Sequence, residues 1–321
     1  MGILLIPGCT SNPTSTPIDP PISTMPAKAS PPQGVTMTPS VIPTPEPLAG
    51  NLRNQIGSLE ESMPRTNSER YVIPTDQEQA DFAKLILMLG SNDLPGAADL
   101  ATTNNYTLRY YVDRGDGEAM DYLLRENKPI EKGWGLYVFR MDSKSNVVIE
   151  APHPRYDMRT PSVALDIYRA LSARALLVAG AHRNANADKS SDVAHAKQSI
   201  FQSVHLALTQ EIQAESGNVV VLQIHGFHTS KHEGYPPVVL GFGAETQPEE
   251  TALAQKIKDA LAEQGITAGI CMGSELQDLC AKTNIQGSAA YDGIFIHMEL
   301  DESLRRHDEA VIAALVQVFG K

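Results

Sequence analysis

From residue 146 to the C-terminus, short β-branched runs alternate with longer amphipathic stretches, and this alternation restricts the fold more than any other feature of the 321-residue chain. Apolar runs at 146–151, 175–179, 218–224, 237–241, 267–271 and 293–299 predict strands, and 161–172, 191–215, 249–264 and 302–319 predict helices. The 191–215 helix is expected to open on Ser190-Ser191-Asp192 and to place Val193, Ile200, Val204, Leu208 and Ile212 near one face. Parallel neighbours need crossovers, and the crossovers cover the sheet. The expectation is therefore an α/β domain, with a mixed, largely parallel sheet and helices on both faces.

Ahead of this domain the composition changes twice. Residues 10 to about 50 hold eleven of the 22 prolines, with Asp19, Lys28 and Glu46 as the only charges. Such a segment buries too little apolar surface to offset its ordering entropy, so 10–67 is read as a disordered Pro/Ser/Thr-rich linker. Residues 68–145 read as a small α+β subdomain or sheet extension, with helices at 77–89 and 94–104 and strands at 106–112 and 134–140. The opening run Met1–Cys9 resembles the tail of a bacterial lipoprotein signal, which implies lipidation at Cys9 and a tether to the cell envelope; the alternative is a plain tail. That leaves Cys271 and Cys280, either two buried thiols or one disulfide in an oxidising compartment. A net charge of −12 without a basic stripe argues against a nucleic-acid partner. Contact with a membrane is expected only through the lipid anchor.

All nine histidines lie between His153 and His307. His153 follows the first apolar run of the domain, with Asp157 four residues on; His225 ends the 218–224 run and precedes Gly226; Glu299 ends the 293–299 run. In open α/β sheets, ligands gather at the carboxyl ends of strands. His153, Asp157 and His225 there make a candidate site for one Zn²⁺, with Glu299 as a general base. His228 and His232 are alternatives to His225, Glu150 and Asp192 are alternatives to Asp157, and the bland reading of Glu299 is an ion pair with Arg305 or Arg306. Gly226 is expected to permit a sharp exit from the strand. The cluster Ala181-His182-Arg183-Asn184-Ala185-Asn186 concentrates polar groups at the same rim. Arg183 can polarise a carbonyl, and His182, Asn184, Asn186 and Arg305 are candidates for substrate binding. His195 and His205, inside the predicted 191–215 helix, read as structural. No Gly-x-Ser-x-Gly elbow occurs, which argues against a serine hydrolase of that type.

Pro152-His153, Ala181–Asn186, Ile224-His225-Gly226 and Glu299-Leu300 ahead of Ser303-Leu304-Arg305 together resemble the N-formylglutamate amidohydrolase-like family, which is related in fold to the zinc carboxypeptidases. The resemblance covers roughly residues 146–319. It implies a zinc-exopeptidase-like fold, His153 and His225 as zinc ligands, Asp157 as the acidic ligand and Glu299 as the base. The carboxypeptidase acid is a Glu three residues after the first His, whereas Asp157 comes four after. The activity expected is hydrolysis of an amide in an N-acyl amino acid, a peptide or a cell-wall peptide fragment. The rival is a non-catalytic surface lipoprotein that binds cell-wall peptide on the same fold.

Overall fold

The computed structural model describes residues 47–140, 142–244, 246–272, 276–288 and 293–320. The lipoprotein-like start, Cys9 and the tether up to residue 46 lie outside the described residues. Ten strands among the described residues join in one sheet. In chain order they are β1 (Leu48–Gly50), β2 (Tyr106–Asp113), β3 (Ala119–Glu126), β4 (Leu136–Phe139), β5 (Val147–Ala151), β6 (Ala175–Val178), β7 (Val220–Gly226), β8 (Val238–Gly241), β9 (Ala268–Ile270) and β10 (Ile294–Leu300). Across the sheet the order is β1-β2-β3-β4-β6-β5-β7-β10-β8-β9. The central strands β6, β5, β7 and β10 run parallel, whereas β2–β3, β3–β4, β4–β6 and β10–β8 pair antiparallel.

Helices cover both faces. One face packs α1 (Leu52–Ser62), α4 (Thr160–Ala170), α6 (Pro248–Glu263) and α7 (Glu309–Phe319) through Ile56, Ile167, Leu261 and Leu315 onto Ile149, Leu222, Ile224 and Met298. The other packs α2 (Asp76–Gly90), α3 (Leu94–Thr103) and α5 (Ile200–Ser216) through Phe82, Ala97, Phe201 and Leu208 onto Val148, Leu177, Val221 and Phe295. Neighbours such as Val148 and Ile149 thus serve opposite faces, as the two-residue period of a strand requires. Every residue of β5, β6 and β8 is buried, so their sequences are runs rather than alternations.

Four expectations change. The linker does not extend to 67: Leu52, Ile56 and Leu59 form the buried stripe of α1, and the Asn51 side chain accepts from Arg53 N–H at its start. Proline-rich composition upstream masked this stripe. Residues 68–145 add strands to the main sheet rather than forming a sheet of their own, because β4 pairs with β6. The 191–215 helix starts only at Ile200, where Ser199 Oγ accepts from Gln202 N–H. Upstream, Ser191 Oγ instead accepts the main-chain N–H groups of Ala185 and Asn186 and folds 180–199 back on itself as an irregular loop, which Asn186 ties to Tyr71. Likewise α7 starts at Glu309, seven residues late, because the Asp301 carboxylate caps Ser303 and Leu304 in a turn.

Candidate metal centre

Strand register makes the site. On the face covered by α5, Val148 lies opposite Val221 and Val221 opposite Phe295, an apolar row across β5, β7 and β10. Two residues further on, Glu150, Gln223 and His297 form a polar row; two further still, His225 faces Glu299. The rows step from core to chemistry toward the carboxyl ends of three adjacent parallel strands. His153 enters just past the end of β5. Asp157 N–H donates to His153 O (2.9 Å), with Arg155 left-handed at φ 63°, and this tight turn returns the Asp157 carboxylate to the imidazole.

The donors converge. Asp157 Oδ2 stands 3.3 Å from His153 Nδ1 and 3.2 Å from His225 Nδ1, and the three ligand atoms lie within 4.8 Å of one another. All three residues are buried. Each imidazole is held from behind. His153 Nε2–H donates to Asp192 Oδ1 (2.8 Å) and His225 Nε2–H to Gln223 Oε1 (2.7 Å). In the neutral rings both Nδ1 atoms therefore present lone pairs to a carboxylate oxygen, an arrangement that repels unless a cation or proton sits between them. Ligands about 2.0–2.1 Å from a tetrahedral zinc stand roughly 3.3 Å apart, so the donor set fits the ion.

Electrostatics agree. Burial, only partly offset by Asp157 and aided by the charge of His153, pushes the His225 pKa down to about 4. Burial also opposes charging His153, but hydrogen bonds to the Asp157 and Asp192 carboxylates outweigh it and raise its pKa. Burial raises the carboxyl of Asp157, yet the two imidazoles hold it well below the usual carboxylate range. Glu299 goes the other way: burial first, then the nearby Asp157 charge, raises its pKa well above 4.5, against weaker pulls from Arg305 and Arg183. Its Oε2 has no hydrogen-bond partner among the described residues, and no Arg lies within ion-pair distance. The structural ion pair to Arg305 or Arg306 is thus absent.

Sequence reasoning missed His297. It is 4% exposed, stacks on His225 with ring centroids 4.1 Å apart, and puts Nε2 3.7 Å from Glu299 Oε1. Its parity with Glu299 on the strand was the available signal. Asp192 is no helix cap: it accepts from His153, from His195 Nδ1 (3.1 Å) and from Arg183 Nε (2.9 Å), and with His153 and His195 it forms a second group of donors within 4.8 Å of one another. His195 stands in the loop, not in a helix. Glu150 pairs with His205 Nδ1 (2.8 Å) on α5, one row below the site.

The remaining candidates divide. Arg183, gripped by Asp192 along one edge, turns NH1 toward His153 (3.4 Å) and lines a cavity of about 470 Å³ together with Asp157, His225, Glu299 and Arg305. His228 and His232 also line this cavity, on the loop after β7 and outside the donor cluster. Arg305 donates to the main-chain oxygens of Leu300, Asp301, Met158 and Phe227, so its guanidinium clamps three chain segments, leaving little for a substrate. Glycine at 226 is needed for this clamp rather than for a sharp exit: a Cβ there would meet Arg305 Cζ at 2.5 Å, and Gly226 is still within β7. Asn186 binds both main-chain groups of Tyr71, Asn184 Oδ1 accepts from Lys189, and His182 Nδ1 accepts from Asn184 N–H. None of the three lines the cavity; they shape the 180–199 loop. Cys271 and Cys280 are joined by a disulfide (Cα–Cα 5.6 Å), and neighbouring Leu279 forms part of the cavity wall.

No protein-family model and no curated protein sequence matches the chain. Among solved structures it is similar to an N-formylglutamate amidohydrolase from Ralstonia eutropha JMP134 (TM-score 0.35, 13% identity, 56% of this chain and 93% of that one). It is also similar to a metallo-carboxypeptidase from Burkholderia cenocepacia (TM-score 0.35, 14% identity, 76% and 68%). A third similar structure is the catalytic domain of an N-acetylmuramoyl-L-alanine amidase from Bacillus (Paenibacillus) polymyxa var. colistinus (TM-score 0.32, 12% identity, 54% and 93%).

Proposed function

We propose that the protein is a zinc-dependent hydrolase of amide bonds, acting on an N-acyl amino acid, a peptide or a cell-wall peptide fragment. One observation carries the reading: two imidazole Nδ1 atoms and one carboxylate oxygen converge beside a buried glutamate whose Oε2 has no hydrogen-bond partner among the described residues and which pairs with no arginine there. His153, His225 and Asp157 would hold the ion, which supplies Lewis acidity toward a carbonyl and toward water. Glu299, kept proton-hungry by burial and by Asp157, accepts a proton from water at Oε2 and hands it to the leaving amine. Arg183, fixed along one edge by Asp192 and standing on the cavity wall, would bind the substrate carbonyl or carboxylate. The cavity has room for an acyl amino acid or a peptide end, and its wall carries both Arg159, Lys231 and Arg306 and the acids Asp278 and Glu302. Lipidation at Cys9 and an extracytoplasmic location belong to the same proposal, and they favour envelope peptides over intracellular metabolites.

The test is elemental analysis of protein purified without chelator, wild type beside His153→Ala and His225→Ala. One zinc per wild-type chain and none in either variant is expected; stoichiometric zinc surviving both substitutions refutes the ligand assignment. Wild-type protein that releases amine from N-acyl amino acids or muropeptides, with Glu299→Gln retaining zinc but losing turnover, supports the chemistry.

A further inference from the structure

We infer that Gln223 is the positioning residue of the metal centre: its side-chain amide fixes His225 in the tautomer that leaves Nδ1 free for the ion. The inference rests on the metal-site reading above.

Its basis is a chain of donors and acceptors with one consistent solution. Gln223 is fully buried and makes four side-chain contacts, one for each hydrogen-bonding position of a primary amide. Nε2 donates to Glu150 Oε2 (2.9 Å) and to Gln286 Oε1 (3.2 Å); Oε1 accepts from Asn284 Nδ2 (2.5 Å) and from His225 Nε2 (2.7 Å). Three anchors set this orientation independently. A carboxylate only accepts, so Glu150 calls for the amide nitrogen; its other oxygen already takes His205 Nδ1–H. Gln286 donates through its own Nε2 to Val193 O (3.0 Å) and Gln202 Oε1 (2.7 Å), which turns its carbonyl toward Gln223 Nε2. Asn284 Oδ1 accepts the main-chain N–H of Gln286 (2.9 Å) and Gly287 (3.2 Å), which turns its amide nitrogen toward Gln223 Oε1.

Rotating the Gln223 amide by half a turn would set donor against donor or acceptor against acceptor at the three anchoring contacts, with Glu150, Gln286 and Asn284. His225 Nε2 therefore always meets an acceptor and carries the proton, and Nδ1 is left as a lone pair aimed at Asp157 Oδ2. His153 obtains the same tautomer more simply, from the Asp192 carboxylate. A hydrogen bond behind a ligating histidine typically changes metal affinity 10–100-fold. The unusual feature is the length of the support. It runs from α5 through the polar row Glu150–Gln223 across two strands, so His225 is set by residues on β5, α5 and the 284–286 loop.

Two measurements test this. The first uses folded wild-type protein, stripped of zinc by chelator and ¹⁵N-labelled at histidine, with long-range ¹H–¹⁵N correlation near neutral pH. His225, assigned by its loss in His225→Ala, should show a protonated Nε2 and a bare Nδ1; a protonated Nδ1 overturns the inference even if no variant folds. The second is zinc affinity by chelator competition. Gln223→Met should bind zinc 10–100-fold more weakly. Gln223→Glu should also weaken binding, since it sets one carboxylate against another, and the double variant Gln223→Glu/Glu150→Gln should recover at least part of that loss by reversing the donor order. Unchanged affinity in Gln223→Met, or a double variant no better than Gln223→Glu, overturns the inference. Wild-type protein that binds no zinc yet shows the Nε2–H tautomer would instead sink the metal reading and leave the tautomer assignment standing.

Discussion

Glu299 gives the sharpest stability test, because burial and the Asp157 charge oppose its ionisation more strongly than Arg305 and Arg183 favour it. It is 8% exposed, Oε2 has no partner among the described residues, and Asp157 adds like-charge repulsion. In metal-free protein its folded pKa is raised above the unfolded value of 4.5, so it is stabilising, or neutral, only while protonated. Its contribution is complete below pH 4.5 and declines as the pH rises toward the folded pKa. One proton is involved, so the decline is at most about 1.4 kcal/mol per pH unit. Glu299→Gln keeps the shape and removes the titration; the other groups titrate in both proteins and largely cancel. Urea unfolding with chelator present, at half-unit steps from pH 5 to 8, should show wild type losing ground to Glu299→Gln by about 1–1.4 kcal/mol per unit over the first units. Saturating zinc should flatten the difference, because a nearby divalent charge favours the carboxylate. Parallel curves for the two metal-free proteins would refute the raised pKa of the buried glutamate.

With zinc bound, Glu299→Gln should lower kcat by about 10²–10⁴-fold at unchanged zinc content, measured by amine release; a smaller loss removes it as the base. Asp192→Ala takes the acceptor from His153 Nε2 and the grip from Arg183, and chelator competition should show zinc affinity reduced 10–100-fold. Gly226→Ala drives a methyl group into the Arg305 guanidinium and should cost about 1–3 kcal/mol by urea unfolding; a neutral result means that the clamp yields easily. Opening the Cys271–Cys280 bridge, sequence separation 9, with paired Ser substitutions should cost about 2–3 kcal/mol from loop entropy while zinc stoichiometry stays at the wild-type value.

The strands of the domain were legible because buried parallel strands are written as apolar runs, and 146–151, 218–224 and 293–299 correspond to β5, β7 and β10 within two residues. The ends of those runs also named His153, His225 and Glu299, because a polar residue closing an apolar strand has few places to go but the sheet's carboxyl edge. Boundaries set by long-range bonds were not legible. The 180–199 loop takes its shape from Asn186 and Asp192 reaching Tyr71 and His153 outside it and from Ser191 bonding back within it, and local helix signals misread it. Substrate roles for Asn184, Asn186 and Arg305 rested on position in the chain, which says nothing of whether a side chain's hydrogen bonds are already engaged.

Local sequence therefore determined which segments become strands and which polar groups sit at their ends, since propensity and period act over a few residues. Register was left to the tertiary structure. Only the lateral order β5-β7-β10 aligns Glu150 with Gln223 and His225 with Glu299, and so turns separate strand ends into one site with a tautomer-setting row beneath it. Strand order is fixed by packing between residues some seventy positions apart, and no local pattern encodes it.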